Sequence, residues 1–223
     1  MIACLFDIDG TLLASGGAGK AALEAAFTGE FGIPLRVQIP YAGRTDRAIM
    51  RDLFGHHDIA DTPENLQKLL GGYLRRLPDS LRRHDGRVLP GIEPLLQELK
   101  QTARIAVGLL TGNVRDGARA KLGHFGLYEH FGFGGFGDDH FDRDDVAREA
   151  LASVHRCVGP HCTADRVWVI GDTPLDVQCA RAIGARVAAV ATGLHSCEEL
   201  APSKPDLLLS DLSDPLPLLR LIL

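Results

Sequence analysis

No run in the sequence approaches the about twenty consecutive apolar residues that a membrane-spanning helix needs, so no helical span is expected. Basic residues are in deficit. Lys and Arg number 24 against 29 Asp and Glu, and the net charge of −5 is spread without the basic stripe that nucleic-acid binding requires. The apolar segment Met1 to Phe6 has no basic flank and ends at Asp7, which is too short for a signal peptide. Cysteine is sparse and odd in number. Cys4, Cys157, Cys162, Cys179 and Cys197 make no dense framework, so free thiols in a reducing cytoplasm are the expectation. Internal repeats and low-complexity tracts are also missing. What is present is ordinary: 223 residues, 45% hydrophobic and 24% charged, enough for one well-buried globular domain plus a substantial insertion.

Short apolar runs alternate with amphipathic segments. Ile2 to Phe6, Arg104 to Leu110, Val167 to Ile170 and Ala185 to Val190 read as buried strands. Helices are expected from Pro90-Gly91 onward, with Ile92, Leu95, Leu96 and Leu99 on one face, and over Val114 to Phe125 and Asp144 to Val154. Pro174 opens a further helix, in the first turn where its missing N–H costs nothing. This alternation implies a mostly parallel sheet with helices on both faces, a three-layer Rossmann-like α/β core. The stretch from Ala14 to Val88 differs. It shows no convincing strand and three helical segments: Lys20 to Phe31, Asp46 to Phe54, and Pro63 to Leu81. The division expected is a core of residues 1–14 and 86–223, with 15–85 inserted as an α-helical cap. Gly16, Gly17 and Gly19 mark its entrance and Asp85-Gly86 its exit.

Three segments carry chemistry, each at a strand's carboxyl end, where parallel sheets bind ligands. Asp7-Ile8-Asp9-Gly10-Thr11-Leu12 follows the first strand. Two carboxylates one residue apart are costly unless a positive charge sits near them, and Mg²⁺ takes one or two carboxylates together with phosphate oxygens. An EF-hand calcium loop fails on register: with Gly10 as its sixth residue, its first would be Leu5. Thr111-Gly112-Asn113 ends another strand and opens a helix, where a hydroxyl and free N–H groups suit a phosphate oxygen, although the same residues also make a good cap. Gly171-Asp172-Thr173-Pro174-Leu175-Asp176 brings a second carboxylate pair to the same edge. Four converging acids point to a metal site.

With these motifs in this order, the sequence resembles the haloacid dehalogenase superfamily, in the phosphoglycolate phosphatase and β-phosphoglucomutase branch with a helical cap. The resemblance implies a Mg²⁺-dependent phosphatase acting on a small phosphorylated metabolite through an aspartyl phosphate. It assigns Asp7 as nucleophile and Asp9 as general acid and base, and places Thr111 on a phosphoryl oxygen beside Gly112 and Asn113. Asp172 would bind Mg²⁺ with the Asp7 carboxylate and the Asp9 backbone carbonyl, and Asp176 would ligate directly or hold a bound water. In the expected cap, Gly43-Arg44-Thr45-Asp46 resembles a segment facing the site, with Arg44 placed to grip a distal anionic group and Thr45 beside it. The catalytic cation departs from the common pattern. Many relatives have Lys-Pro where this chain reads Asp142-Arg143-Asp144, so Lys121, on the helix after Thr111, is the first candidate and Arg143 the second.

Other signals carry less. Gly16-Gly17-Ala18-Gly19-Lys20-Ala21 imitates a P-loop, but Ala14 stands where a glycine is needed and Ala21 where Ser or Thr would meet magnesium, so a hinge is expected. Gly132 to Gly137 reads as a strand end and loop, with Asp138 or Asp139 in reach of a metal-bound water. His155, Cys157, His161 and Cys162 fit no zinc spacing. A phosphomutase would use the same residues as a phosphatase. A dehalogenase would need neither Asp9 nor a metal, and a phospho-accepting receiver domain is about half this length and has no cap. Oligomeric state is not legible.

Overall fold

A computed structural model describes every residue from Met1 to Leu223. In chain order the elements are β1 (Ile2–Phe6), β2 (Leu13–Ala14), α1 (Ala18–Phe31), α2 (Asp46–His56), α3 (Pro63–Arg83), β3 (Arg87–Val88), α4 (Ile92–Gln101), β4 (Ile105–Leu110) and α5 (Arg115–His124). There follow β5 (Gly134–Gly135), α6 (Arg143–Val158), β6 (Val167–Gly171), α7 (Pro174–Ala182), β7 (Arg186–Val190), α8 (Cys197–Leu200), β8 (Leu207–Leu209) and α9 (Leu216–Ile222).

Six strands form one sheet in the order β5-β4-β1-β6-β7-β8, every pairing parallel. The side-chain period of two decides which layer each residue serves. Cys4 and Phe6 of β1 join Trp168, Ile170 and the apolar stripe of α4 on one face. Ala3 and Leu5 join Val167, Val169 and the inner faces of α6 and α7 on the other. Both faces are covered, which is why the central strands read as unbroken apolar runs. The three-layer α/β architecture is that of the sequence reading.

Between β2 and β3 the chain forms α1, α2 and α3, which supply most of a third apolar cluster, including Leu23, Phe27, Ile49, Phe54, Tyr73 and Leu77, with Val114 before α5 joining it. β2 and β3 pair antiparallel, Leu13 with Val88 and Ala14 with Arg87. The sequence shows no such ribbon, since two residues carry no periodicity. Threonines start α2 and α3: Thr45 Oγ1 accepts the Ala48 N–H and Thr62 Oγ1 that of Asn65. No helix is long and apolar enough to cross a membrane.

Candidate active site

Asp7, Thr111 and Asp172 directly follow β1, β4 and β6, three strands adjacent at the sheet's centre. The register therefore delivers all three to one edge. Asp7 is anchored by its N–H on the Ile170 carbonyl at 2.9 Å. Asp172 Oδ1 accepts the Thr11 hydroxyl at 3.1 Å. Gly10 (φ 86°) and Gly193 press so closely on the Asp172 carboxylate that a Cβ on either would collide with it. Asp176 is fully buried. It closes a capping box with Thr173 at the start of α7, and Arg143 takes its other oxygen.

One carboxylate oxygen from each of Asp7, Asp172 and Asp176 lies within 4.8 Å of the others. Burial, and then the neighbouring acids, push Asp7 up to about 6 against the pull of Arg143. Burial followed by the charges of Asp176 and Asp7 pushes Asp172 up to about 8. One guanidinium faces three carboxylates, so the pocket has negative charge in excess. A hard, oxygen-seeking divalent cation suits this donor set, and Mg²⁺ in particular, which needs few protein ligands. Asp176 spends both oxygens on Thr173 and Arg143, leaving Asp7 and Asp172 as the carboxylates with room for an ion.

Asp9 stands apart from that trio. Its Oδ2 accepts Lys121 Nζ at 2.5 Å and Asn113 Nδ2 at 2.9 Å. Burial alone would raise its pKa, but the charge and hydrogen bond of Lys121, with that of Asn113, hold it below the usual value. Lys121 is buried, which would favour the neutral amine; the charges of Asp9 and Asp46 raise its pKa instead. Asn113 links the group, accepting from Lys121 at 2.6 Å and donating to Thr111 Oγ1 at 2.9 Å. Both candidate cations therefore reach the site, at different acids. Lys121 pairs with Asp9, and Arg143 lies 3.0 Å from Asp7 while also binding Asp176.

A cavity of about 430 Å³ opens over these groups, lined by Asp7, Asp9, Gly112, Asn113, Lys121, Arg143 and Asp172 from the sheet edge. Tyr41, Asp46 and Tyr73 face it from the α1–α3 region. Residues 43–46 meet the sheet edge directly. Arg143 Nη1 donates to the Gly43 carbonyl at 3.2 Å, and the Asp46 N–H to that of Gly112 at 2.7 Å. Asp46 Oδ2 accepts the Val114 N–H at 2.9 Å, and the guanidiniums of Arg47 and Arg51 lie 4.4 and 4.3 Å from the Phe141 ring centre.

Two expectations for this segment change. Thr45, expected beside the substrate, does not line the cavity; its hydroxyl caps α2 and donates to the Phe141 carbonyl. Arg44 lines the cavity, but its guanidinium is held by Asp52 at 2.7 Å and the Pro40 carbonyl at 3.2 Å rather than left free for an anion. Asp138 accepts the Arg115 N–H at the start of α5, away from the trio. Sequence reasoning passed over Tyr73, and named Asp46 only as the last residue of the segment expected to face the site. Asp46 reads as an ordinary first-turn acid and Tyr73 as one more apolar position on α3.

The description "Haloacid dehalogenase-like hydrolase" belongs to a family whose model matches residues 4–190. A phosphoglycolate phosphatase from Synechococcus elongatus is 29% identical over 217 residues, covering 96% of this chain and 95% of that protein. Among solved structures, CbbY from Rhodobacter sphaeroides in complex with phosphate superposes with a TM-score of 0.75 at 20% identity, over 96% of both chains. A hydrolase from Pseudomonas syringae gives 0.71 at 23% identity, over 100% of this chain and 99% of that one. At these identities the structural matches establish the fold.

Proposed function

The chain belongs to the haloacid dehalogenase-like hydrolase family, and from that premise we propose that it is a phosphatase that cleaves a small phosphate monoester by attack of Asp7 on phosphorus. The observation that carries this reading is the pairing of two acids with two separate buried cations around one cavity, Asp7 with Arg143 and Asp9 with Lys121.

Asp7 and Asp172 would hold Mg²⁺, together with the Asp9 backbone carbonyl. When bound, the ion screens the repulsion between the carboxylates and the incoming phosphate. Arg143 adds a fixed positive charge beside the attacking oxygen of Asp7, and Asp176 holds that guanidinium in place. Phosphoryl transfer needs positioning and charge stabilisation more than elaborate covalent machinery. An Asp7 oxygen forms a bond to phosphorus as the ester P–O bond breaks, and the leaving alkoxide takes the proton of Asp9. The Asp9 carboxylate then accepts a proton from water as the water oxygen attacks phosphorus, and the bond to Asp7 breaks to free inorganic phosphate. Asp9 must be protonated for the first step, although Lys121 holds its pKa down in the free protein. The arriving phosphate brings a like charge next to Asp9, which favours its protonated form in the complex. Gly112 and Asn113, which line the cavity, would receive the phosphoryl oxygens, while Thr111, fully buried and outside the lining, would position Asn113 by accepting its Nδ2–H and N–H.

Residues 15–85 act as a cap over a core of residues 1–14 and 86–223 in this reading. Their apolar cluster is distinct from the two that flank the sheet, although Val114 joins it, which supports a cap body seated on α5, and closure would keep bulk water from the phosphorylated Asp7. A panel of phosphate esters assayed with and without Mg²⁺, on the wild type and Asp7→Asn, tests the assignment. Loss of at least about a thousandfold in turnover is expected for the variant. Hydrolysis of the best ester at the wild-type rate by Asp7→Asn would remove the nucleophile from the reading.

A further inference from the structure

The helix α5, which carries Lys121, is poorly equipped to start itself. It is ten residues long and contains Gly117 and Gly123, and glycine weakens a helix interior. Its N-cap is Val114, whose side chain offers no acceptor, and its third position is Gly117, where a capping box would place Glu or Gln. The acceptors come from elsewhere in the chain. Asp138 takes the Arg115 N–H at 3.0 Å, and Asp46, on α2, takes that of Val114 at 2.9 Å. A carboxylate also suits the positive end of a helix.

Asp46 does more than cap. Its own N–H donates to the Gly112 carbonyl at 2.7 Å, so one residue grips both chain neighbours of Asn113. The Asn113 side chain joins the rest of the site. Its Nδ2 donates to Asp9 and to Thr111 Oγ1, each at 2.9 Å, and its Oδ1 accepts Lys121 Nζ at 2.6 Å. A shift of Gly112 or Val114 would carry Asn113 with it. The seat is also tight. A Cβ on Gly112 would collide with the Arg44 carbonyl, and one on Gly137 with the Gly112 carbonyl.

We propose that Asp46 is a positioning residue that clamps Gly112 and Val114 and thereby fixes Asn113 between Lys121 and Asp9. Its catalytic meaning rests on the hydrolase reading above, which gives Asp9 and Asn113 their work. The clamp belongs to the α1–α3 region, so Asn113 is set only while residues 43–46 are seated on the sheet edge. Asp46 also lines the cavity, and direct contact with substrate is the alternative that the test separates.

Backbone amide exchange, followed by NMR without Mg²⁺ or ester, reads the clamp. In Asp46→Ala the Val114 N–H should exchange about tenfold or more faster, the scale of one charge-assisted hydrogen bond. Asp46→Asn keeps a side-chain acceptor and should stay within about threefold of the wild type. Gly112→Ala unseats the same segment from the other side and should reproduce the gain at Val114. Kinetics with Mg²⁺ and the best ester read the positioning. Asp46→Ala should lower kcat about fivefold or more with KM within about twofold, and Asp46→Asn should recover most of the loss. In an Asn113→Ala background, Asp46→Ala should cost less than about twofold, because the residue it acts through is gone.

Unmoved Val114 exchange, faster exchange with intact kcat, or a kcat loss as large in Asp46→Asn as in Asp46→Ala overturns the proposal. A change confined to KM, or a full further loss in the absence of Asn113, does so too. Wild-type turnover with unmoved exchange in the variants refutes the clamp and keeps the hydrolase; the expected exchange pattern without wild-type turnover of any ester does the reverse.

Discussion

Replacing Arg143 by Met tests whether the acids at the sheet edge depend on its charge. The side chain is 5% exposed, lies 3.0 Å from Asp7, binds Asp176 and reaches the Gly43 carbonyl at 3.2 Å. Methionine preserves much of the buried volume, so packing loss is small and the charge is the main variable. Without the guanidinium, Asp176 has a buried oxygen with no partner and Asp7 loses its nearest cation. Removing one member of a buried ion pair costs about 3–5 kcal/mol. For a chain of 223 residues, at about 2–4 °C per kcal/mol, that is a fall of roughly 6–20 °C in melting temperature. Circular dichroism melts at neutral pH in EDTA measure it directly. Arg143→Lys should recover part of the loss, since it restores the charge without the forked geometry. Mg²⁺ should also recover part, by neutralising the same carboxylates. A Met variant melting within 2 °C of the wild type in EDTA would refute the reasoning, because the excess negative charge would then be matched elsewhere.

Mg²⁺ should raise the wild-type melting temperature by roughly 5–10 °C at a hundredfold excess over its Kd, and Asp172→Asn should abolish most of that rise; a full rise in the variant would move the ion elsewhere. Burial pushes Asp46 up to about 6 despite the pull of Lys121. Its folded pKa thus lies above the unfolded value, so the wild type should gain stability as the pH falls from about 7 towards 4. Asp46→Asn should lack that gain, by up to ~3 kcal/mol, in urea melts at pH 5 and pH 8, and parallel curves would disprove it. Lys121→Met should lower kcat and shift the limb of the pH–rate profile that belongs to Asp9 upward, since burial then acts on that acid unopposed; an unmoved limb would separate Lys121 from Asp9. Phe141→Ala should raise KM more than it lowers kcat if the Arg47–Phe141–Arg51 contact fixes the closed arrangement, and steady-state kinetics decide.

Much of the fold could be read from the sequence because its strands are buried on both faces. Ile2 to Phe6 appears as an uninterrupted apolar run, and its carboxyl end had to be where Asp7 sits. The weak strands were invisible for the same reason. β5 is Gly134-Gly135, and β8 is three leucines among prolines and acids, so neither shows a period. Within the site, the positions that follow strands (Asp7, Thr111, Asp172) were legible because topology alone delivers them. Partnerships were not. Two buried cations on two different acids, or the engagement of Arg44 with Asp52, depend on how α2, α5 and α6 approach one another. Tyr73 was hidden by its own chemistry, since a ring on the inner face of a helix looks like packing until the hydroxyl's surroundings are known.

The ribbon of Leu13-Ala14 against Arg87-Val88 brings the two ends of the α1–α3 excursion side by side. Such a neck makes the excursion a cassette. A tight hairpin turn joining Ala14 to Arg87 would excise it and leave all six strands of the main sheet in sequence and in register. A foreign helical module grafted at the same two points would inherit Asp7 and Asp9, the proposed nucleophile and acid, below it while bringing its own walls to the chamber. Divergence in what such an enzyme accepts can thus proceed by swapping a lobe, without touching the strands that carry the chemistry.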